Sequence, residues 1–343
     1  MKAMIMAAGF GTRLRPLTYS IPKPMVPILN KPVLEHILEK LRDLGVTQVG
    51  LNLHAHPHMI KGYFKNGERW GIKINYSEEK SLLGTAGGVK NFEDFFKETF
   101  IVLSGDGVID IDINDALKFH KRKKALVTII LKRIDNRLEY GVVLLKRNFM
   151  IKRFVEKPFW ADVFSNLANT GMYILEPAVF RYIPKNKFFD FGHDLWPILI
   201  KKRKRLFGYI TDGYWCDIGN LNEYKKAHRD ALEKKINLIF PGEEIKKNVW
   251  VGENSYIDNS AKLNPPCIIG KNCIIEKDAV IGKFSSIGDG SVIKKGAEIK
   301  NCILWRKVVV GENVQLQNCI IGNETTVKEN IYVSEGAILK IEP

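Results

Sequence analysis

From Val251 onward an aliphatic residue recurs at every sixth position: Val251, Ile257, Leu263, Ile269, Ile275, Ile281, Ile287, Ile293 and Ile299. The register then shifts by one residue to Leu304, Val310 and Leu316, and again to Ile321, Val327, Val333 and Leu339. This period matches neither the 3.6 residues of an α-helix nor the alternation of an ordinary strand. A hexapeptide repeat of this length predicts a parallel β-helix whose aliphatic residues point inward and stack coil upon coil. Gly252, Gly270, Gly282, Gly288, Gly311 and Gly322 directly follow the aliphatic residue, where the chain must turn a corner. The slot two positions before it holds small residues, among them Ser255, Ala261, Cys267, Cys273, Ala279, Ser285, Ser291 and Ala297, with Cys302 and Cys319 after the shifts. Four of the five cysteines are therefore expected as buried packing residues; without a C-x-x-C pair, zinc and disulfides are not expected.

The preceding residues follow a different pattern. Met4–Met6, Thr47–Leu53, Ile72–Tyr76, Phe100–Leu103 and Leu126–Leu131 are apolar runs of strand length, separated by helical segments. One of these helices carries Pro32 in its first turn, an apolar face of Leu34, Ile37, Leu38, Leu41 and Leu44, and Gly45 as its stop. Strands alternating with helices predict an α/β fold with a doubly wound, mostly parallel sheet, whose ligand crevice lies at the carboxyl ends of the strands. The expected division is an α/β domain over 1–235, a linker over 236–248 and a β-helix over 249–343.

The chemistry concentrates at those strand ends. Ala7-Ala8-Gly9-Phe10-Gly11-Thr12-Arg13-Leu14-Arg15-Pro16-Leu17-Thr18, followed by Pro22-Lys23-Pro24, places a small-residue turn, an arginine and a lysine after the first strand. Small residues let backbone N–H groups approach a phosphate closely, and Arg13 and Lys23 supply charge. The spacing is neither a P-loop nor a dinucleotide fingerprint. The whole string resembles the signature of the sugar-1-phosphate nucleotidyltransferases, and the hexapeptide repeat resembles the left-handed β-helix of bacterial acyl- and nucleotidyltransferases.

That resemblance extends to further segments and implies roles for their residues. Ala8, Gly9, Gly11 and Thr12 would border the nucleotide, as would Glu79 and the turn Leu83-Gly84-Thr85-Ala86-Gly87, which is most similar to guanylyltransferases acting on mannose 1-phosphate. Asp106 in Ser104-Gly105-Asp106 and Asp217 in Trp215-Cys216-Asp217 match aspartates that hold a divalent cation, Mg²⁺ here. Glu156 and Lys157 of Val155-Glu156-Lys157-Pro158 would bind sugar hydroxyls and the sugar phosphate. Gly141, Asn169 and Gly171 match segments of the sugar pocket. Gly107 departs from the family pattern, in which an aliphatic residue follows the aspartate. Asp110 and Asp112 read as helix caps, Cys216 has no adjacent histidine to make it a nucleophile, and His54, His56 and His58 read as structural or surface residues.

The implied reaction is nucleotidyl transfer from a nucleoside triphosphate to a sugar 1-phosphate, with GTP and mannose 1-phosphate the leading pair and Arg13, Lys23, Asp106 and Asp217 the catalytic set. Glucose or heptose 1-phosphate with UTP, dTTP or GTP remains an alternative, as does a non-catalytic relative such as an exchange-factor subunit of translation initiation. A second, acetyl-transferring activity would need a histidine base, and the seven histidines all precede the β-helix.

Composition changes little in this picture. The 343 residues carry a formal charge of +15, with basic runs at Lys121-Arg122-Lys123-Lys124 and Lys201-Lys202-Arg203-Lys204-Arg205. Both read as solvated helix ends, and neither a nucleic-acid nor a membrane partner is expected. No apolar run approaches the roughly 20 residues of a membrane span, and the chain opens directly on a strand, so the expected location is cytoplasmic. Terminal β-helix coils expose apolar surface, so a homo-oligomer formed through that domain is expected.

Overall fold

The computed structural model describes residues 1–134, 138–159 and 163–339. The chain folds as two compact units. The first comprises Met1–Phe10, Pro22–Pro24 and Ile37–Asp217; the second comprises Gly11–Ile21, Met25–His36 and Ile218–Pro343. The second unit thus takes in two N-terminal segments and residues 218–235, which the hydrophobic pattern groups with the α/β domain.

The first unit is built on a nine-stranded mixed sheet. Its strands are β1 (Lys2–Met6), β2 (Gln48–Leu53), β3 (Lys73–Glu78), β4 (Phe100–Ser104), β6 (Val127–Arg133), β7 (Val142–Leu145), β8 (Ile151–Val155), β9 (Leu167–Leu175) and β10 (Leu206–Thr211). A separate antiparallel pair is formed by β5 (Gly107–Asp110) and β11 (Tyr214–Asp217). The order is β8-β7-β9-β4-β1-β2-β3, with β6 on β9 and β10 on β6. β1 to β4 run parallel, as do β6 and β10. The sheet is mixed because β9 enters antiparallel to both β4 and β6. Two reversals leave β6 parallel to β4, so β1, β4, β6 and β10 share one carboxyl edge and one amino edge.

The core strands are apolar on both faces. Ala3, Met4, Ile5, Phe100, Ile101 and Val102 are fully buried, as expected of strands covered on two sides. Around the sheet lie α1 (Val33–Asp43), α2 (Pro57–Phe64), α3 (Gly84–Lys90), α4 (Ile113–Lys123) and α5 (Trp196–Lys201). Leu34, Ile37, Leu38 and Leu41 bury the apolar stripe of α1. Pro32 precedes α1 rather than lying in its first turn, because it pairs with Pro27 in a two-residue hairpin strand. Asp112 caps α4 through the Asp115 N–H at 3.1 Å. Asp110 is no cap; it is ion-paired with Lys40 at 2.6 Å.

In the second unit α6 (Leu221–Leu232) precedes a parallel β-helix of three ladders. The stretch 236–248, read above as linker, contributes a strand, Glu243–Lys246, antiparallel to Val249–Val251. Val251, Ile269, Ile287, Leu304, Ile321 and Ile338 pair in succession, so the first two coils are eighteen residues long and the next three seventeen. Each one-residue shift falls at the same corner, and Ile338, not Leu339, continues the stack. At that corner Asn301 (φ 52°) and Asn318 (φ 55°) take the left-handed conformation, and the Asn301 amide donates to Asn318 Oδ1 at 2.6 Å. Asparagine tolerates this backbone better than most residues. Cys267, Cys273, Cys302 and Cys319 fill the interior slots and are buried.

Ile268, Ile303 and Ile320 point outward by strand alternation yet are also buried. Within the same unit Asn30 donates to the Ile287 carbonyl at 2.8 Å and accepts from Ser286 Oγ at 2.6 Å. Tyr224 of α6 meets Trp305 on this side too. One face of the β-helix is therefore a packing surface for segment 25–36 and α6.

Candidate active site

Just past β4 the Gly105 N–H donates to the Met6 carbonyl at 2.8 Å. A Cβ at Gly105 would lie 2.9 Å from that oxygen, so only glycine permits this approach of the two strand ends. The tight passage delivers Asp106, one of whose carboxylate oxygens accepts from the Ser104 hydroxyl. Asp217 ends β11, where its cross-strand partner is Gly107. The departure at Gly107 thus belongs to the pairing that sets the two aspartates side by side.

Lys23 bridges them. Its Nζ lies 2.6 Å from Asp106 Oδ2 and 3.0 Å from Asp217 Oδ1, and its side chain is 8% exposed. Burial alone would lower the Lys23 pKa, but the two carboxylates outweigh it and hold the ammonium above its ordinary range. Burial would likewise raise Asp106, yet the Lys23 charge and the hydrogen bonds from Lys23 and Ser104 keep it below the usual carboxylate range. Lys23 and Asp106 are therefore both charged at neutral pH.

A second cluster follows β2. Asn52 accepts from the Ala7 N–H at 3.0 Å and donates to Glu79 Oε1 at 2.7 Å. The other Glu79 oxygen accepts from the Leu83 N–H at 2.9 Å. The phosphate turn, Glu79 and the turn opening α3 are thereby linked through an asparagine that the sequence reading did not single out. A Cβ at Gly88 would stand 2.5 Å from both Asn52 Nδ2 and Glu79 Oε1, which explains a glycine there. Gly84 has φ +74°, and a Cβ would meet the Phe189 carbonyl oxygen at 2.6 Å. Thr85 donates to Asp190 Oδ2 at 2.7 Å and accepts from the Phe191 N–H at 2.8 Å.

The segments assigned to the sugar also converge. Asn169 donates its backbone N–H to the Gly141 carbonyl at 2.8 Å and its side-chain amide to the Tyr173 hydroxyl at 3.0 Å, and it accepts from the Gly171 N–H at 3.0 Å. Gly171 has φ +75°, and β9 shifts register between Asn169 and Tyr173. A Cβ at Gly141 would lie 2.7 Å from Glu156 Oε2, and one at Gly192 only 2.5 Å from it. Two glycines thus clear the space around the Glu156 carboxylate. Burial, then the Asp190 charge, push its pKa above the ordinary value against the opposing pull of Lys157 and His193. Lys157 itself is exposed and adopts φ 42°.

The remaining expected residues sit as follows. Ala8 is buried, and among the described residues other than its chain neighbours no atom lies within 4 Å of a Cβ built at Gly9, leaving open space before the turn. Gly11, Thr12 and Arg13 belong to the second unit, where Gly11 (φ 64°) accepts from the Thr18 hydroxyl at 2.9 Å and precedes a short 3-10 turn, Thr12–Leu14. Cys216 is buried and His54 binds the Glu79 carbonyl at 2.7 Å. Asn52, Ser104, Asp190 and Gly192 were missed. Asn52 left a signal, a polar residue inside the apolar strand Val49–Leu53, and Ser104 stands two residues from its partner Asp106 within the motif already quoted; Asp190 and Gly192 left none, since their partners are remote, Thr85 lying 105 positions from Asp190.

Two carboxylates bridged by an ammonium beside a small-residue turn are chemically suited to holding phosphate groups, and comparison with known proteins gives the class of the chain. The family described as Nucleotidyl transferase matches residues 2–234, and the EIF2B subunit epsilon LbH domain matches residues 246–342. The chain is 42% identical over 286 residues to a UTP–glucose-1-phosphate uridylyltransferase of Synechocystis sp., covering 79% of this chain and 74% of that protein. It is 35% identical over 277 residues to a mannose-1-phosphate guanyltransferase of Pichia angusta, covering 78% and 74%. Among solved structures, a Bacillus anthracis protein assigned as a glucose-1-phosphate thymidylyltransferase and crystallised with sucrose superposes with a TM-score of 0.62 at 25% identity, over 70% of this chain and 97% of that one. The chain is a nucleotidyltransferase. Within that class it belongs to the sugar-1-phosphate nucleotidyltransferases, with a left-handed β-helix as its C-terminal part.

Proposed function

We propose that this protein makes GDP-mannose and pyrophosphate from GTP and mannose 1-phosphate. The chemistry is carried by one observation, the Lys23 ammonium held 2.6 and 3.0 Å from Asp106 and Asp217 at the carboxyl edge of the sheet. A phosphate oxygen of the sugar 1-phosphate attacks the α-phosphorus of the triphosphate, forming one P–O bond. The bond from that phosphorus to the α,β-bridging oxygen breaks, and pyrophosphate leaves with the electron pair. The attacking oxygen is already anionic, so no side chain need remove a proton. The residues act by alignment and charge stabilisation.

Two carboxylates are a fitting donor set for Mg²⁺, which takes one or two carboxylates and completes its oxygen shell from phosphates and water. Asp106 and Asp217 would hold it, and when bound it supplies positive charge to the triphosphate. Lys23 offers its ammonium to the developing charge of the departing pyrophosphate. Arg13 is assigned to the triphosphate by its place in the signature string. Asn52 and Glu79 hold the base-side turn, Lys157 receives the sugar phosphate, and Glu156 accepts from sugar hydroxyls. The β-helix is assigned no chemistry of its own and serves packing and homo-oligomerisation.

The preference for guanine and mannose rests on the Leu83-Gly84-Thr85-Ala86-Gly87 turn and on the Pro22-Lys23-Pro24 form of the lysine motif. UTP with glucose 1-phosphate is the second reading, supported by the 42% identity to the Synechocystis protein. Pyrophosphate release over a grid of four triphosphates and several sugar 1-phosphates tests both. GTP with mannose 1-phosphate is expected to turn over fastest, and a tenfold or greater advantage for UTP with glucose 1-phosphate reverses the assignment.

A further inference from the structure

The two basic runs, separated by 76 positions in sequence, meet at the amino edge of the sheet. Lys121–Lys124 ends α4 and leads into β6, and Lys201–Arg205 leads into β10; these are adjacent parallel strands. The Leu126 and Val127 N–H groups both donate to the Arg205 carbonyl, at 2.9 and 3.2 Å. A third basic segment joins them: Lys123 Nζ donates to the Asn148 carbonyl at 3.1 Å, in the turn that begins Lys146-Arg147. The Gly208 N–H of β10 donates to the Phe149 carbonyl at 3.0 Å. Eleven lysines and arginines therefore share one surface.

None of the eleven is ion-paired with a carboxylate among the described residues, although lysines elsewhere commonly are. Glu176, whose N–H donates to the Leu126 carbonyl, gives its carboxylate to Thr99 and His120 instead. Nine of the eleven side chains are exposed, while Lys123 and Lys204 lie half-buried over aromatic rings. Like charges gathered without counter-ions repel one another, and an opposing polyanion relieves that repulsion.

The aromatic residues narrow the choice of partner. Single-stranded nucleic acid needs exposed rings on which bases stack. Here Phe119 and Phe207 are buried and covered by Lys123. Phe149, which Lys123 also approaches at 5.5 Å, is the most open of these rings, 43% exposed at a tight turn beside Arg147. Flexible basic side chains around one projecting apolar ring suit a surface of anionic headgroups over hydrocarbon. We propose that this face docks the protein peripherally on an anionic phospholipid bilayer, with the carboxyl edge that carries Lys23 and Asp106 on the opposite side of the sheet.

The test is sedimentation of the full chain with phosphatidylcholine vesicles containing roughly one-third phosphatidylglycerol. The protein is expected to pellet with these vesicles, to stay in solution with pure phosphatidylcholine, and to be released as salt rises. Arg122→Glu, Lys202→Glu, Arg203→Glu and Arg205→Glu combined should weaken pelleting by more than tenfold with nucleotidyl transfer unchanged, and Phe149→Ser should weaken it less. Circular dichroism melting verifies that the variants fold; should the quadruple variant not, the salt titration of the unaltered protein decides. Equal pelleting with neutral vesicles, indifference to salt, an undiminished charge-reversed variant, or tighter binding to labelled polyuridine than to the vesicles overturns the proposal.

Discussion

The Tyr224 hydroxyl accepts a hydrogen bond from the Trp305 indole N–H at 3.0 Å, and both side chains are buried. The same hydroxyl donates to the Pro27 carbonyl at 2.7 Å. One phenol thus joins a β-helix coil to α6 and to the hairpin ahead of α1, all within the second unit. Tyr224→Phe removes both bonds and leaves a buried donor and acceptor unpaired. The expected loss is about 1–3 kcal/mol per unsatisfied group, read from guanidinium unfolding. Trp305→Phe in the Tyr224→Phe background should cost much less than in the unaltered chain, because the N–H it removes is already orphaned.

Deleting residues 249–343 removes the surface on which Asn30 and Tyr224 pack. The truncated chain is expected to melt at a lower temperature and, in light scattering, to lose any assembly made by the β-helix. An unchanged melting temperature would show that segments 25–36 and 218–235 are held without it.

Lys23→Ala is expected to lower turnover by roughly 10² to 10³, the scale for removing one donor from developing transition-state charge. It also unpairs two carboxylates now bridged at 2.6 and 3.0 Å. Mn²⁺ binding to the nucleotide-free protein, followed by electron paramagnetic resonance, should therefore tighten in Lys23→Ala and weaken in Asp106→Asn. Equal Mn²⁺ affinity in all three proteins would mean that the ammonium and the cation do not compete.

Acid should destabilise the second unit through two histidines. Burial lowers His228 to about 3, and burial followed by the Lys31 charge lowers His36 to about 3. Neither His228 ring nitrogen has a hydrogen-bond partner among the described residues. The unfolded chain binds these protons near pH 6.5 and the folded chain does not, so this contribution is complete above that pH. It falls by about 1.4 kcal/mol per pH unit per histidine on the way down to pH 3. His228→Phe should flatten the stability profile between pH 6.5 and 3 without moving its neutral plateau by a comparable amount.

Gly141→Ala brings a Cβ to within 2.5 Å of the Phe154 ring and 2.7 Å of Glu156 Oε2. Displacing that carboxylate should raise KM for the sugar 1-phosphate by roughly tenfold while leaving KM for the triphosphate near its original value, since positional losses act on the group displaced. Steady-state kinetics with each substrate varied in turn separates the two.

Much of this protein is legible along the chain because its signals are local. The six-residue period is set by neighbours in sequence, and so announces the β-helix, the inward aliphatic stack and the packing cysteines. The α/β alternation, with Asp106 just past an apolar strand, Asp217 closing another and Lys23 within Pro22-Lys23-Pro24, is local in the same way. The sequence by itself determined the residue types at each corner and strand end. Tertiary structure alone decided which distant residues meet: Lys23 with Asp217 across 194 positions, Thr85 with Asp190 across 105, Trp305 with Tyr224 across 81. It also decided that segment 25–36 and α6 pack on the β-helix, and that two basic runs become one surface at the starts of paired strands. The physical reason is that hydrophobic periodicity reports which side of an element is buried but not what buries it. Ion pairs and hydrogen bonds need a distance, and distance between remote residues exists only once the chain has folded.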